Sequence, residues 1–496
     1  RKGDNYGWSV MEGTHPFYSL RKPGPTPFVK PIAEHHHSEA RSLTGGIVYY
    51  GSKFPELQGC YIYGDHSTGK IWGIRHDGEK VTWHKEIADT SLQITGFGED
   101  NDGNLLVVDL LGIIHKFIPV PKDLPQPHFP KKLSESGLFQ SIRNHEMVEG
   151  VIPYSVNAPF WSDQSFKVRF IALPEFDSEG KPTFIDYSSS KSWTFPNGTV
   201  IVKSFALEME HGNPQSKQWI ETRFMTRQEG EWVGYSYLWN KEQTDADLVE
   251  SAGRDVSFQI ADKGEKEGTR KQVWHYPSRA ECMVCHSRAS NFVLGLCEVQ
   301  MNKSHDYKTG SENQLNHLEQ LRILKPRSSD LKEALKRIGQ ADGKKDKELD
   351  EWVNTQLSFP DQRKPATPDH LLPLPVSQLK KLVNPYDKNQ PLEDRVKSYL
   401  HSNCANCHIN AGGGNSQIDL DFFADKTKIK ILDEKPNHHT FGFKDAKIIA
   451  PGDPERSVLL HRISIVGTGQ MPQISRNMVD KQAVELFTEW IRSLPK

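Results

Sequence analysis

The sequence predicts a multidomain chain: partial β-propeller blades first, then a β-rich domain with a helical extension, then an all-α C-terminal domain. Three observations point there. Short β-branched and aromatic runs, broken by Gly, Asp and Asn, fill the first 118 residues. Longer runs of the same type follow from residue 134. Beyond residue 385 the apolar residues fall at helical spacing instead. At 496 residues the chain has room for about three domains.

In chain order, "GGIVYYG", "GCYIYGD", "KIWGIRHDG", "KVTWHKEI" and "GNLLVVDLLGIIHKFIP" read as short strands at blade-like spacing. Two blades cannot close a propeller, so residues 1–118 are expected to be its C-terminal blades, with earlier ones preceding Arg1. Residues 119–133 form a Pro-rich linker. In the domain expected over 134–380, "FKVRFIALP", "GTVIVKSFALEME", "QWIETRFMTR" and "EWVGYSYLWN" read as strands. "QLNHLEQLRIL", "DLKEALKRIG" and the charged "KKDKELDEWV" read as helices, and "FPDQRKPATPDHLLPLP" as a loop. In the last domain, 385–496, "LEDRVKSYLHSNCANCH" reads as a helix entering a Cys motif. The final helix carries Val484, Phe487, Trp490, Ile491 and Leu494 as its core face.

The chemistry sits in one pattern that occurs twice. "CMVCH" covers Cys282, Cys285 and His286; "CANCH" covers Cys404, Cys407 and His408. Composition alone predicts about 0.003 such pentapeptides in this chain. A tetrahedral zinc site needs four ligands, and neither copy has a second Cys or His pair nearby, which leaves only a zinc site shared between the two copies as the minor alternative. A redox dithiol has no use for the trailing His. Covalent haem needs all three residues: two thiols add to the vinyl groups and the adjacent His reaches the iron. Both copies are therefore expected to carry haem c, with His286 and His408 as iron ligands. Met471, just before Pro472 in "GTGQMPQI", is the expected sixth ligand of the second haem, with Met478 and His461 behind it. For the first haem the candidates are His275, Met301, His211, Met209, Met225 and Lys203, or an open position.

Composition bounds the rest. A formal charge of −2 implies no nucleic-acid partner, and no apolar run is long enough to span a membrane. Haem c is attached outside the cytoplasm, so a periplasmic or extracellular bacterial location is expected, with a processed or truncated N-terminus. Cys60 and Cys297 lie outside the motifs and are expected to be unbridged thiols.

Three resemblances add to this. The Met-Pro loop and the terminal helices resemble class I cytochromes c. Residues from about 135 onward, through "PYSVNAPFWSDQSFKVRFIALP", "IETRFMTR", "WVGYSYLWNKEQTDADLV" and "YPSRAECMVCH", resemble a family of exported bacterial dihaem c-type cytochromes. Residues 1–118, through "GDNYGWSVMEGT", "SLTGGIVYYGSKFPELQGCYIYGDHSTGKIWGI" and "ITGFGEDNDGNLLVVDLLGIIHKF", resemble the end of six-bladed soluble sugar dehydrogenases that bind pyrroloquinoline quinone (PQQ). That resemblance implies PQQ and calcium. Where the family places basic residues for the quinone carboxylates, this chain has Ser67, Gln93 and Thr95. Substitute partners would be His66, Lys70 or "EHHH" at Glu34–His37, which reads equally as a polar loop.

The expected function is an exported dihaem redox protein. It would pass electrons from a propeller module that oxidises a sugar or alcohol, through both haems, to an external acceptor protein. Fusion in one chain raises the effective concentration of donor and acceptor. The alternatives are an electron carrier whose cofactor-free propeller docks a partner, and a dihaem peroxidase.

Overall fold

The computed structural model describes residues 3–18, 21–120, 129–326, 332, 335–337, 339–340, 342–358, 372, 375–414, 416–424 and 426–495. Most of the linker, half of "DLKEALKRIG" and nearly all of "FPDQRKPATPDHLLPLP" lie outside them. The chain forms two compact units, Arg1–Pro127 and His128–Lys496.

The first unit holds a short antiparallel pair, Met11–Glu12 with His15–Pro16, and two larger antiparallel sheets. Strands β1 (Leu43–Val48), β2 (Tyr61–Asp65), β3 (Ile71–His76) and β4 (Val81–Ala88) form a four-stranded meander, and β5 (Ile94–Glu99), β6 (Leu105–Asp109) and β7 (Ile114–Lys116) a three-stranded one. Ile62, Ile71, Ile94, Leu105 and Val107 are buried in one shared core between them. The fully buried Asp65 organises the turn after β2. Its carboxylate accepts the backbone amides of Arg41 (2.7 Å), Ser42, Ser67 (3.0 Å) and Thr68 (2.8 Å).

The second unit is built on a six-stranded antiparallel sheet. In order its strands are β8 (Ile152–Tyr154), β9 (Phe166–Ala172), β10 (Val200–Glu208), β11 (Lys217–Gln228), β12 (Glu231–Trp239) and β13 (Ala246–Leu248). A hairpin of β14 (Arg254–Ala261) and β15 (Thr269–Tyr276) leads into helix α1, Arg279–Cys285. The C-terminal region of this unit is helical. Helix α2 (Leu392–Asn403) packs on α3 (Lys481–Ser493), with Tyr399 meeting Phe487 edge-on at 5.5 Å. Phe487, Trp490 and Ile491 are buried, and Val484 and Leu494 pack at the margin of the same core. Among the described residues, no helix is long and apolar enough to cross a membrane.

The β-rich and helical regions of this unit are clasped by polar contacts. Asp163, buried and at positive φ (49°), accepts the amides of Asn477 (2.8 Å) and Met478 (2.9 Å). The Trp161 amide donates to Asn403 Oδ1 (2.8 Å), and Gln300 donates to Ser402 Oγ (2.9 Å).

Asp65→Ala leaves four amides without their acceptor, each worth about 1–3 kcal/mol if it stays buried. The expected result is loss of amide hydrogen-exchange protection over residues 41–70. Unchanged protection would refute the role given to this carboxylate.

Candidate functional site

Both CxxCH segments fall in the second unit, and each starts from a helix end. Helix α1 opens with a capping box: Ser278 Oγ accepts the Glu281 amide (3.0 Å), and the Glu281 carboxylate accepts the Ser278 amide (2.8 Å). The helix lies against β12 at Gly234. A Cβ at that position would fall 2.7 Å from Cys282 Sγ, so only glycine permits the approach. Burial pushes the Cys282 thiol up to about 12.

His286 caps α1, its amide donating to the Cys282 carbonyl (3.0 Å). The chain then turns through Asn291 and Phe292, both at positive φ (55° and 62°). Asn291 tolerates that region; Phe292 does not do so readily. The Asn291 amide holds the turn by donating to the carbonyls of Ser192 (3.1 Å) and Trp193 (2.8 Å). The turn brings the Phe292 carbonyl to His286 Nδ1 at 2.5 Å. Nδ1 therefore carries the proton and Nε2 is left with its lone pair, the usual state of a metal-ligating His. Burial, with Lys203 next, pushes the ring down to about 4, so it is neutral.

Beside His286 lies a cavity of about 780 Å³, lined by Cys282, Cys285, His286, residues of β9–β11 and residues between His401 and Asn410. That volume is in the range of pockets that bury a small-molecule cofactor, about 300–1,000 Å³. Of the sequence-derived sixth-ligand candidates, Met225 and Lys203 line it. Met301 is fully buried in the apolar core, Met209 packs in a different cluster and His211 is exposed. His275 has both ring nitrogens engaged, by Glu281 (2.8 Å) and Asp255 (2.6 Å). The Glu281 hydrogen bond, against the cost of burial and with Asp255 adding to it, raises its pKa to about 9.

At the second segment, α2 ends as the Cys404 amide donates to the Leu400 carbonyl (2.9 Å), and the His408 amide donates to the Cys404 carbonyl (2.9 Å). Burial holds the Cys404 thiol up at about 12 and pushes the His408 imidazole down. His408 Nδ1 is buried with no hydrogen-bond partner, and Gly414 packs against it. Met471 sits in a loop held from inside. Arg476 donates to the carbonyls of Arg462 (2.9 Å), Ile463 (3.1 Å) and Ile465 (2.6 Å), and Gln470 donates to those of Pro472 (3.0 Å) and Arg476 (3.2 Å). The fallback Met478 has its sulfur against Arg270 Nη1 (3.3 Å), and His461 packs against Phe441 (4.5 Å).

The two segments meet. Cys407 Sγ lies 3.6 Å from the carbonyl of Val284, between Cys282 and Cys285. Among the described residues no three His, Cys, Asp or Glu side chains converge as a metal site would require. Cys60 and Cys297 are buried and unbridged.

In the first unit, the substitute quinone partners, and Ser67, Gln93 and Thr95 at the family's basic positions, make contacts within the fold. Lys70 pairs with Glu86 (2.6 Å) and Asp89 (3.4 Å). Thr95 Oγ1 donates to the Val108 carbonyl (3.1 Å), His66 Nδ1 meets the Ile94 carbonyl (3.2 Å), and the Gln93 and Ser67 amides serve Asp109 and Asp65. Glu34 accepts from Thr14 (2.8 Å). His35 packs against Trp72 (4.3 Å) and bonds Tyr63 (2.7 Å), so "EHHH" is partly aromatic core.

The sequence reading missed Gly234, the Asn291–Phe292 turn and three cavity cations, Arg169, Lys203 as a charge, and Arg223. The last had a signal: the charges fall on the alternate positions that strands β9–β11 turn inward.

No family model matches the chain, and no solved structure is similar to it. A HIPL1 protein of Arabidopsis thaliana is 35% identical over 83 residues, covering 14% of this chain and 12% of the relative. The chain thus spans about an eighth of that relative's length.

Gly234→Ala forces α1 off β12 and is expected to cost about 1–3 kcal/mol, read as a lower urea midpoint. His275 gives a pH signature. Its folded pKa is about 9 against about 6.5 unfolded, so its contribution is full below pH about 6.5 and fades as pH rises through about 9. His275→Gln is expected to flatten that decline in denaturation midpoints; an unchanged slope would contradict the assignment.

Proposed function

We propose that this chain is an exported dihaem c-type electron-transfer protein. Cys282 and Cys285 would anchor one haem with His286 as iron ligand. Cys404 and Cys407 would anchor the other, with His408 and Met471 as its ligands. Haem, when bound, supplies one-electron redox chemistry. The chain's part is to hold the imidazoles neutral and oriented, to exclude water and to set the distance between the groups.

The observation that carries this reading is the contact of Cys407 Sγ with the Val284 carbonyl at 3.6 Å. It joins the two attachment segments back to back within one compact unit, which favours passage of electrons between them. Periplasmic or cell-surface location follows from haem c attachment.

The first unit has two readings, a sugar- or alcohol-oxidising module using PQQ and calcium, or a docking module for a protein partner. The second is favoured by Lys70, which is already paired with two carboxylates rather than open to an acid cofactor.

Expression with a cytochrome c maturation system should give two haems per chain by pyridine haemochrome, falling to one in Cys285→Ala and to one in Cys407→Ala. A chain that leaves that host with no haem, or with zinc, would sink the proposal. Adding a sugar panel to the oxidised protein with PQQ and calcium separates the readings of the first unit. Haem reduction by any sugar restores the dehydrogenase; reduction by dithionite alone leaves the docking module.

A further inference from the structure

The floor of the cavity is a row of cations on a sheet face. Arg169 on β9 pairs across strands with Lys203 on β10, and Lys203 with Arg223 on β11. All three line the cavity. Like charges directly opposite on neighbouring strands repel, and inside a protein that repulsion is screened less than in water.

Arg223 has its counter-charge. The fully buried Glu221 takes it in a bidentate pair (2.7 and 2.8 Å) and is itself bonded to Ser236 and Trp274. Glu221 thus neutralises one cation of the three. Arg169 is 9% exposed, and among the described residues no hydrogen bond or ion pair engages its side chain. Among the described residues Lys203 has none either; it is half-buried, with its amine 5.9 Å from the centre of the Phe205 ring. Burial, with Arg169 and Arg223 adding to it, drives the Lys203 amine well below its usual pKa, as expected where no anion faces it. The cavity is also lined by Glu281, Asp419 and Asp421. Glu281 is taken by His275 and Ser278.

We propose that the Arg169–Lys203–Arg223 row is an anion site that takes a carboxylate or a small oxyanion inside the cavity. The anion has two sources: the carboxylates of a porphyrin linked at Cys282 and Cys285, or a free anion entering beside it. The first source rests on the function proposed above; the second does not. A buried guanidinium and a half-buried amine, with no partner among the described residues, supply several donors at once, and charge-assisted bonds to an anion are the strong kind.

The test uses the full-length protein as matured, with Arg169→Gln and Lys203→Met. Intact mass first reports whether haem is attached at Cys282 and Cys285, which judges the earlier proposal separately. Nitrite and formate are then titrated by calorimetry, and the midpoint potential of the first haem is followed against pH. If the source is a free anion, wild-type protein binds nitrite or formate and each variant weakens it about tenfold or more. If the source is the porphyrin, neither probe binds, and the variants raise the pKa of the carboxylate step in the potential–pH curve by about one unit. No probe binding together with an unmoved carboxylate step overturns the site. So does a change of axial-ligand spectrum in Lys203→Met with both other readouts unmoved, which would make Lys203 an iron ligand instead.

Discussion

The second unit depends on a carboxylate placed where water cannot reach it. Asp163 is 3% exposed, and among the described residues no ion pair neutralises it. Its compensation is two backbone amides, those of Asn477 and Met478, from a segment more than three hundred residues away. Burial raises its pKa and the two amides oppose that rise. A carboxylate held this way tolerates little displacement, because losing either amide exposes the full desolvation cost. The β-rich region is thereby fixed against the Met471–Met478 loop. The Trp161–Asn403 and Gln300–Ser402 bonds extend the same seam to the end of α2. The approach of Cys407 to Val284 lies along the same seam.

Much of the fold could be read from the residues. The strands from Leu43 to Lys116 and the long strands of the second unit stand where β-branched and aromatic runs occur between turn residues. Helix α3 stands where Phe487, Trp490 and Ile491 recur at helical spacing. The hairpin of β14 and β15 was harder to see. "RDVSFQIA" and "TRKQVWHY" are half charged or polar, and their exposed faces dilute the alternation. The Cys and His residues of the two segments were legible because the pattern is rare. What surrounds them was not. Gly234 reads as an ordinary strand glycine until α1 is laid over it. Asp163 in "FWSDQS" reads as a loop residue, because its partners are backbone amides and carry no sequence signature.

The cation row shows why burial has to be known before charge can be interpreted. Lys203, in "VIVKSFALE", stands in the sequence as a candidate iron ligand, with no sign of the charges beside it. In the six-stranded sheet both neighbours of that position are also cations, and the face is covered. The alternation in the sequence was real, but which face lines the cavity depends on α1 and on the helical region that contribute the rest of its lining.

The two histidines at the ends of the CxxCH segments are set up differently, and the difference has a direction. His286 donates Nδ1–H to the Phe292 carbonyl, which increases the basicity of Nε2 as a ligand. His408 has a buried Nδ1 without that partner, so its ring is the weaker electron donor. Under the proposed function, imidazole basicity alone would make the first centre the more reducing one and a Met471-ligated second centre the more oxidising, consistent with flow from the first to the second. The cations beside His286 work against this gradient, because unneutralised positive charge next to a redox centre favours its reduced form. An anion seated on Arg169 and Lys203 would remove that opposition. The neutral state of His286, the anion site and the order of electron flow are then linked through one sheet face, with Glu221 supplying the part of the neutralisation that the chain provides for itself.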